Sequence, residues 1–188
     1  MLSFRMTTPN LQAFAPADIA LVAVRRFYTP TLRLVRLFAP VLSNPDAEEL
    51  TDLQALQTVL GQAMVSLTGF AQSGWEAGVP VEEARASLAY VLPFYESVAD
   101  QWEKEPPSRL SPFVDDESDV GLVINCALGR IRLFEEQPLV LDRVAQLAGM
   151  SYELVYADLK RLYPQEEVHM LAASRAVLWL ASKGVKGF

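Results

Sequence analysis

Apolar residues along this chain recur at intervals of three and four, the period of a helix face rather than the alternation of a strand. In "PADIALVAVRRFY" the stripe is Ile19, Val22, Ala23 and Phe27, opening behind Pro16 and Asp18. After Pro30, "TLRLVRLFAPVL" resumes it with Leu32, Val35, Phe38 and Ala39. The segment "SNPDAEELTDLQALQTVLGQAMVSLTGFAQSGW" opens on Asn-Pro and acids, which suit the positive end of a helix dipole. It then reads as one helix through Leu50, Leu53, Leu56, Leu60, Met64, Leu67 and Phe70, with Gly61 or Gly69 permitting a close helix approach. Pro80 with Glu82 and Glu83 starts the next helix, whose stripe is Ala84, Leu88, Val91, Tyr95, Val98 and Trp102, with a kink expected at Pro93. "DDESDVGLVINCALGRIRLFEEQP" has an apolar run, Val120 to Cys126, that resembles a buried strand. The acids before it and its continuation to Ile131 and Phe134 favour a helix. The last segment, "PQEEVHMLAASRAVLWLASKG", reads as a helix from Pro164 that ends by Gly184.

The pattern therefore predicts an all-α protein. A bundle-like N-terminal unit over 11–104, suited to dimerisation or sensing, precedes a Pro-rich linker over 105–114 ("EPPSRLSPFV") and a helical unit over 115–188. At 51% apolar and 21% charged, the chain is able to build a core, and no apolar run reaches the roughly 18 residues of a membrane span. With one cysteine, Cys126, and no signal-peptide pattern, the expectation is a cytoplasmic protein without a membrane span.

The C-terminal unit holds the most informative stretch, "DRVAQLAGMSYELVYADLKRL" over 142–162. A helix-turn-helix needs a small residue where the helices approach, a residue with positive φ at the turn, and apolar locks on both helices. Ala145, Gly149, Met150, Val155, Leu159 and Leu162 fill those places, and Ser151 stands at the N-cap of the second helix. The segment resembles the helix-turn-helix of bacterial DeoR-like transcription regulators, over about one ninth of the chain. The resemblance implies double-stranded DNA as partner, with Tyr152, Glu153, Tyr156 and Lys160 toward the major groove and Ser151 near a phosphate. Arg143, Arg161 and Lys183 are the phosphate-neutralising candidates, with Arg175, Lys186, Arg130 and Arg132 in reserve. Two features depart from that group: the outward chemistry of "YELVYAD" is acidic and aromatic, and no β-wing signal follows Tyr163.

Charge sharpens the question. The net −7 divides into +4 over residues 1–40, −12 over 41–120 and +1 over 121–188. Nucleic acid is repelled by the middle and tolerated by the C-terminal third. A second reading therefore stands beside DNA binding: an acidic protein-interaction adaptor, of anti-repressor or DNA-mimic type, whose helix-turn-helix is a packing or docking unit. Either form is expected as a homodimer.

Other chemistry is sparse. The acids of "VDDESD", and Glu48, Glu49 and Asp52, fit helix N-termini better than metal loops. The arginines Arg25, Arg26, Arg33 and Arg36 read as surface cations that pair with the acidic middle. His169 is the only histidine and is expected within a helix; Cys126 lies in an apolar run, where thiols are inert. There is no P-loop, dinucleotide fingerprint or H-E-x-x-H motif, so no catalytic, cofactor or metal site is expected.

Overall fold

A computed structural model describes residues 11–25, 51–103, 119–164 and 168–188, over 94–103 by the backbone alone. The architecture is all-α, with one two-stranded ladder among the described residues. Residues 16–25 are helical (α1), preceded by a 3-10 turn at Leu11–Ala13. There follow α2 (Asp52–Gln57), α3 (Val59–Ser73), a 3-10 turn at Gly74–Ala77 and α4 (Val81–Glu103). After the undescribed interval come α5 (Asp119–Phe134), β1 (Leu139–Val140), α6 (Leu141–Ala148), α7 (Tyr152–Leu162), β2 (Met170–Leu171) and α8 (Ala173–Ser182). No helix among the described residues is long and apolar enough to cross a membrane. The linker expected over 105–114, the arginines Arg26, Arg33 and Arg36, and the acids Glu48, Glu49, Asp115, Asp116 and Glu117 lie outside the described residues.

The helix expected to run unbroken through Leu53 and Phe70 is two helices. Thr58 leaves helical geometry (φ −66°, ψ 154°), and its hydroxyl accepts from the Gly61 N–H at 3.0 Å, capping α3. A threonine that bonds to the main chain beside it offers the chain an alternative to continuing the helix. The chain turns sharply there, and Gly61 lets the Ala55 carbonyl in close: a Cβ at this position would stand 2.3 Å from that oxygen. Of the two glycines considered for close approach, Gly61 is the one that serves. Thr51 and Gln54 form a reciprocal capping box at the start of α2. Arg25 reaches Asp52 at 2.6 Å, so the one described arginine of the basic stretch pairs with an acid of the middle segment. Both side chains are exposed, and pairs of this kind contribute about 0–1 kcal/mol.

α3, α4 and α5 pack together through Met64, Leu67 and Phe70, through Ala84, Leu88 and Val91, and through Val120, Val123, Ala127 and Ile131. α5 is helical throughout, so the Val120–Cys126 run is a buried helix face and not a strand. The same apolar cluster continues into Val144, Leu147, Val155, Leu159, Trp179 and Leu180. α5 thus carries α6 and α8 on the core that it shares with α3 and α4.

The segment after Tyr163 departs from expectation. Met170 and Leu171 pair antiparallel with Val140 and Leu139, and the helix begins only at Ala173. Leu139 and Leu171 are buried opposite one another while Val140 and Met170 face out, an alternation that a helix cannot produce. His169 therefore stands on an exposed bend leading into β2, not within a helix.

Arg130 is the most unusual core residue, a 2% exposed guanidinium. Its Nε donates to the Ala71 carbonyl at 2.8 Å and its Nη2 to that of Gln72 at 2.9 Å. Nη1 donates to Lys186 at 2.7 Å and Gly187 at 3.1 Å, and the cation lies 4.8 Å from the centre of the Phe188 ring. The last carbonyls of α3 have no partner in their own helix, and the helix dipole places partial negative charge there. Arg130 supplies both donors and countercharge, and binds the tail over 186–188 in the same grip. Burial pulls its pKa down to about 10, against the pull of Cys126 and Glu76, so it remains cationic at neutral pH.

Candidate functional site

The helix-turn-helix shape rests on local sterics. At the end of α6, Gly149 adopts φ 61° and ψ 33°, the left-handed region. Its N–H bonds to the Gln146 carbonyl at 3.2 Å, and the Met150 N–H to Ala145 at 3.0 Å. This pair of bonds is a Schellman close, which satisfies carbonyls that the helix end leaves over. A Cβ at Gly149 would meet nothing within 4 Å, so glycine is needed here for its backbone angle alone. Met150 packs half-buried against the core, while Val144, Ala145, Val155 and Leu159 lock the two helices from inside.

Ser151 occupies the N-cap position of α7 in extended geometry, yet its side chain makes no capping hydrogen bond. The expected acceptor role is therefore absent from its hydroxyl. Tyr152 and Tyr156 stack, with ring centres 6.1 Å apart and planes 12° from parallel, one turn along the helix. Tyr152 is partly exposed and Tyr156 half-buried against the core. At 100° per residue, Glu153, Ala157 and Lys160 share the stripe opposite Val155 and Leu159. Glu153, Ala157 and Arg161 are exposed and Lys160 is half-buried, so the outer face of α7 stays open.

The cations divide into two groups. Lys160 and Arg161 sit in the last turn of α7, and Arg143 is half-buried on α6. Lys183 instead bonds to Asp158, and its ammonium lies 5.2 Å from the centre of the Trp179 ring. The hydrogen bond from Lys183, then its charge and that of Arg161, hold the Asp158 carboxyl below the usual carboxylate range. Lys183 thus ties the end of α8 to α7. Arg175 lies over the Tyr163 ring at 4.7 Å. Arg130, a reserve candidate for phosphate, is withdrawn by its burial among main-chain carbonyls.

Three leucines of α7 and α8 stand exposed, Leu154 (59%), Leu162 (60%) and Leu178 (73%). Leu162 was assigned to the inner stripe, but the last turn of α7 carries it clear of the core. The exposure of Leu154 was legible, since it falls a quarter-turn from Val155, off the inner stripe.

Cys126 is fully buried, and desolvation drives its thiol up to about 12 despite the nearby Arg130 charge. A thiol held up in this way and shut off from solvent stays in its unreactive, protonated form. Folded protein is expected to leave Cys126 unmodified by a thiol-disulfide reagent, with full reaction on denaturation. Rapid labelling of native protein would contradict the burial.

Compared with protein-family models, with curated proteins and with solved structures, the chain matches none.

Proposed function

We propose that this protein is a DNA-binding transcriptional regulator, or an accessory to one, acting as a homodimer through its C-terminal helix-turn-helix. The observation that carries the reading is the open outer face of α7 behind a Gly149 turn of the required geometry. In this reading Tyr152, Glu153, Tyr156 and Lys160 approach base edges in the major groove, and Arg143, Arg161 and Lys183 approach phosphates, with Ser151 beside them. Lys183 gives up its contact with Asp158 to do so. A homodimer doubles the small supply of cations, and the reading requires that the acidic middle point away from the duplex.

The test is a fluorescence anisotropy titration on a library of genomic duplexes at several salt concentrations. Binding is expected to weaken with salt. Lys160→Ala with Arg161→Ala should reduce the log–log salt slope by about 1.8, two phosphate contacts at about 0.9 each. Affinity and slope indifferent to that pair would overturn the reading.

Leu154, Leu162 and Leu178 favour the second reading, a protein-interaction adaptor, because exposed leucines contribute little to a phosphate interface. An adaptor ignores DNA in the same titration at every salt concentration.

A further inference from the structure

A cavity of about 370 Å³ lies between the end of α3, the turn after α6 and the segment that follows α8. Its volume is within the roughly 300–1,000 Å³ range of small-molecule sites. Arg130, Lys183 and Lys186 line it against a single carboxylate, Glu76. Lys183 is already matched by Asp158, which leaves the wall with one surplus positive charge.

The chemistry of Arg130 defines the surplus. Four of its five N–H groups are spent on main-chain carbonyls, and among the described residues Glu76 acts on it through charge without forming a hydrogen bond to it. A buried cation hydrogen-bonded to carbonyls alone, with the Phe188 ring beneath it, gains from an adjacent anion, because the low-dielectric surroundings screen the attraction poorly. On the same wall Gln146 holds a buried Oε1 with no hydrogen-bond partner among the described residues, an atom that a ligand hydroxyl would satisfy once the amide turns toward the cavity.

We propose that this cavity is a binding site for a small hydroxylated organic anion, a carboxylate or phosphate ester, held by Arg130 and Lys186 with Gln146 on its hydroxyl side. Gly149 also lines the cavity, so an occupant touches the turn that sets α7. That last consequence depends on the DNA reading; binding in the cavity does not.

The probes are citrate and glucose 6-phosphate, followed by thermal unfolding of the full chain and by calorimetry. At least one is expected to raise Tm and bind saturably. Lys186→Gln, an exposed position, should weaken that binding about tenfold. The Lys160→Ala, Arg161→Ala double variant should bind as tightly as the parent, since those cations lie on α7. No binding of either anion overturns the proposal, as does binding unchanged in Lys186→Gln. Loss of binding in the double variant would place the anion on the outer face of α7 and equally overturn it.

Discussion

Replacing Arg130 with Met is expected to lower unfolding free energy by about 3 kcal/mol or more, since each buried carbonyl left without a donor costs about 1–3 kcal/mol. Methionine matches much of the volume, so the loss comes from polar groups rather than from a cavity. It strips hydrogen bonds from the carbonyls of Ala71, Gln72, Lys186 and Gly187, and removes the cation over the Phe188 ring. Relief from burying a charge opposes this, and the Gln72 carbonyl keeps a donor in Gln12 Nε2 at 2.8 Å, so the loss falls chiefly on the carbonyls of Ala71, Lys186 and Gly187. Arg130→Lys keeps the charge without the planar fork and cannot serve four carbonyls in two directions, so an intermediate loss is expected. Urea denaturation followed by circular dichroism measures both. A loss under about 1 kcal/mol for Met would show that the four bonds are not what holds the tail.

Gly74→Ala is the second large effect. Gly74 has φ 58° and ψ −136°, a backbone region that residues with a Cβ scarcely enter, at a cost of about 1–3 kcal/mol. Space adds to the angle: the new Cβ would stand 1.9 Å from the Gly187 carbonyl oxygen, so the tail must withdraw. Withdrawal breaks the 3.2 Å bond from Trp75 Nε1 to the Phe188 carbonyl. The expected outcome is a loss of about 3 kcal/mol or more, a changed Trp75 emission, and faster tryptic cleavage after Lys186. Gly78→Ala is the control, because Gly78 also has positive φ (73°) but open space around its Cβ. About 1 kcal/mol is expected there, with no change in cleavage. Equal losses at the two sites would mean that the contact with Gly187 carries no energy.

The parts legible in the sequence were those set by local sterics. Ala145, Gly149, Met150, Val155 and Leu159 each meet a demand of the turn or of its lock, and each stands in the expected place. The helical reading of α5 followed from acids before an apolar run, and it holds. What was not legible depends on distant partners. Arg130 and Arg132 look alike in "GRIRLF", and both read as surface cations. Arg130 does fall three residues after Ala127 on the apolar stripe, which was a signal, but the carbonyls awaiting it come from residues 71–72 and 186–187. The break at Thr58 turns on one hydroxyl, and β2 on a pairing with Leu139, thirty-two residues earlier than Leu171. Periodicity reports which face is apolar, not where main-chain groups find partners.

The Arg130 grip also bears on the order of events in folding. It joins stretches of chain more than a hundred residues apart, Ala71 and Gln72 with Lys186 and Gly187. Contacts that distant close a long loop, and a transition state dominated by local helix pairing does not contain them. An interaction made after the barrier stabilises the native state without stabilising the transition state, so its strength resides in the unfolding rate. Arg130 and its tail then act as a latch on the finished molecule, setting its lifetime while leaving its assembly rate nearly untouched.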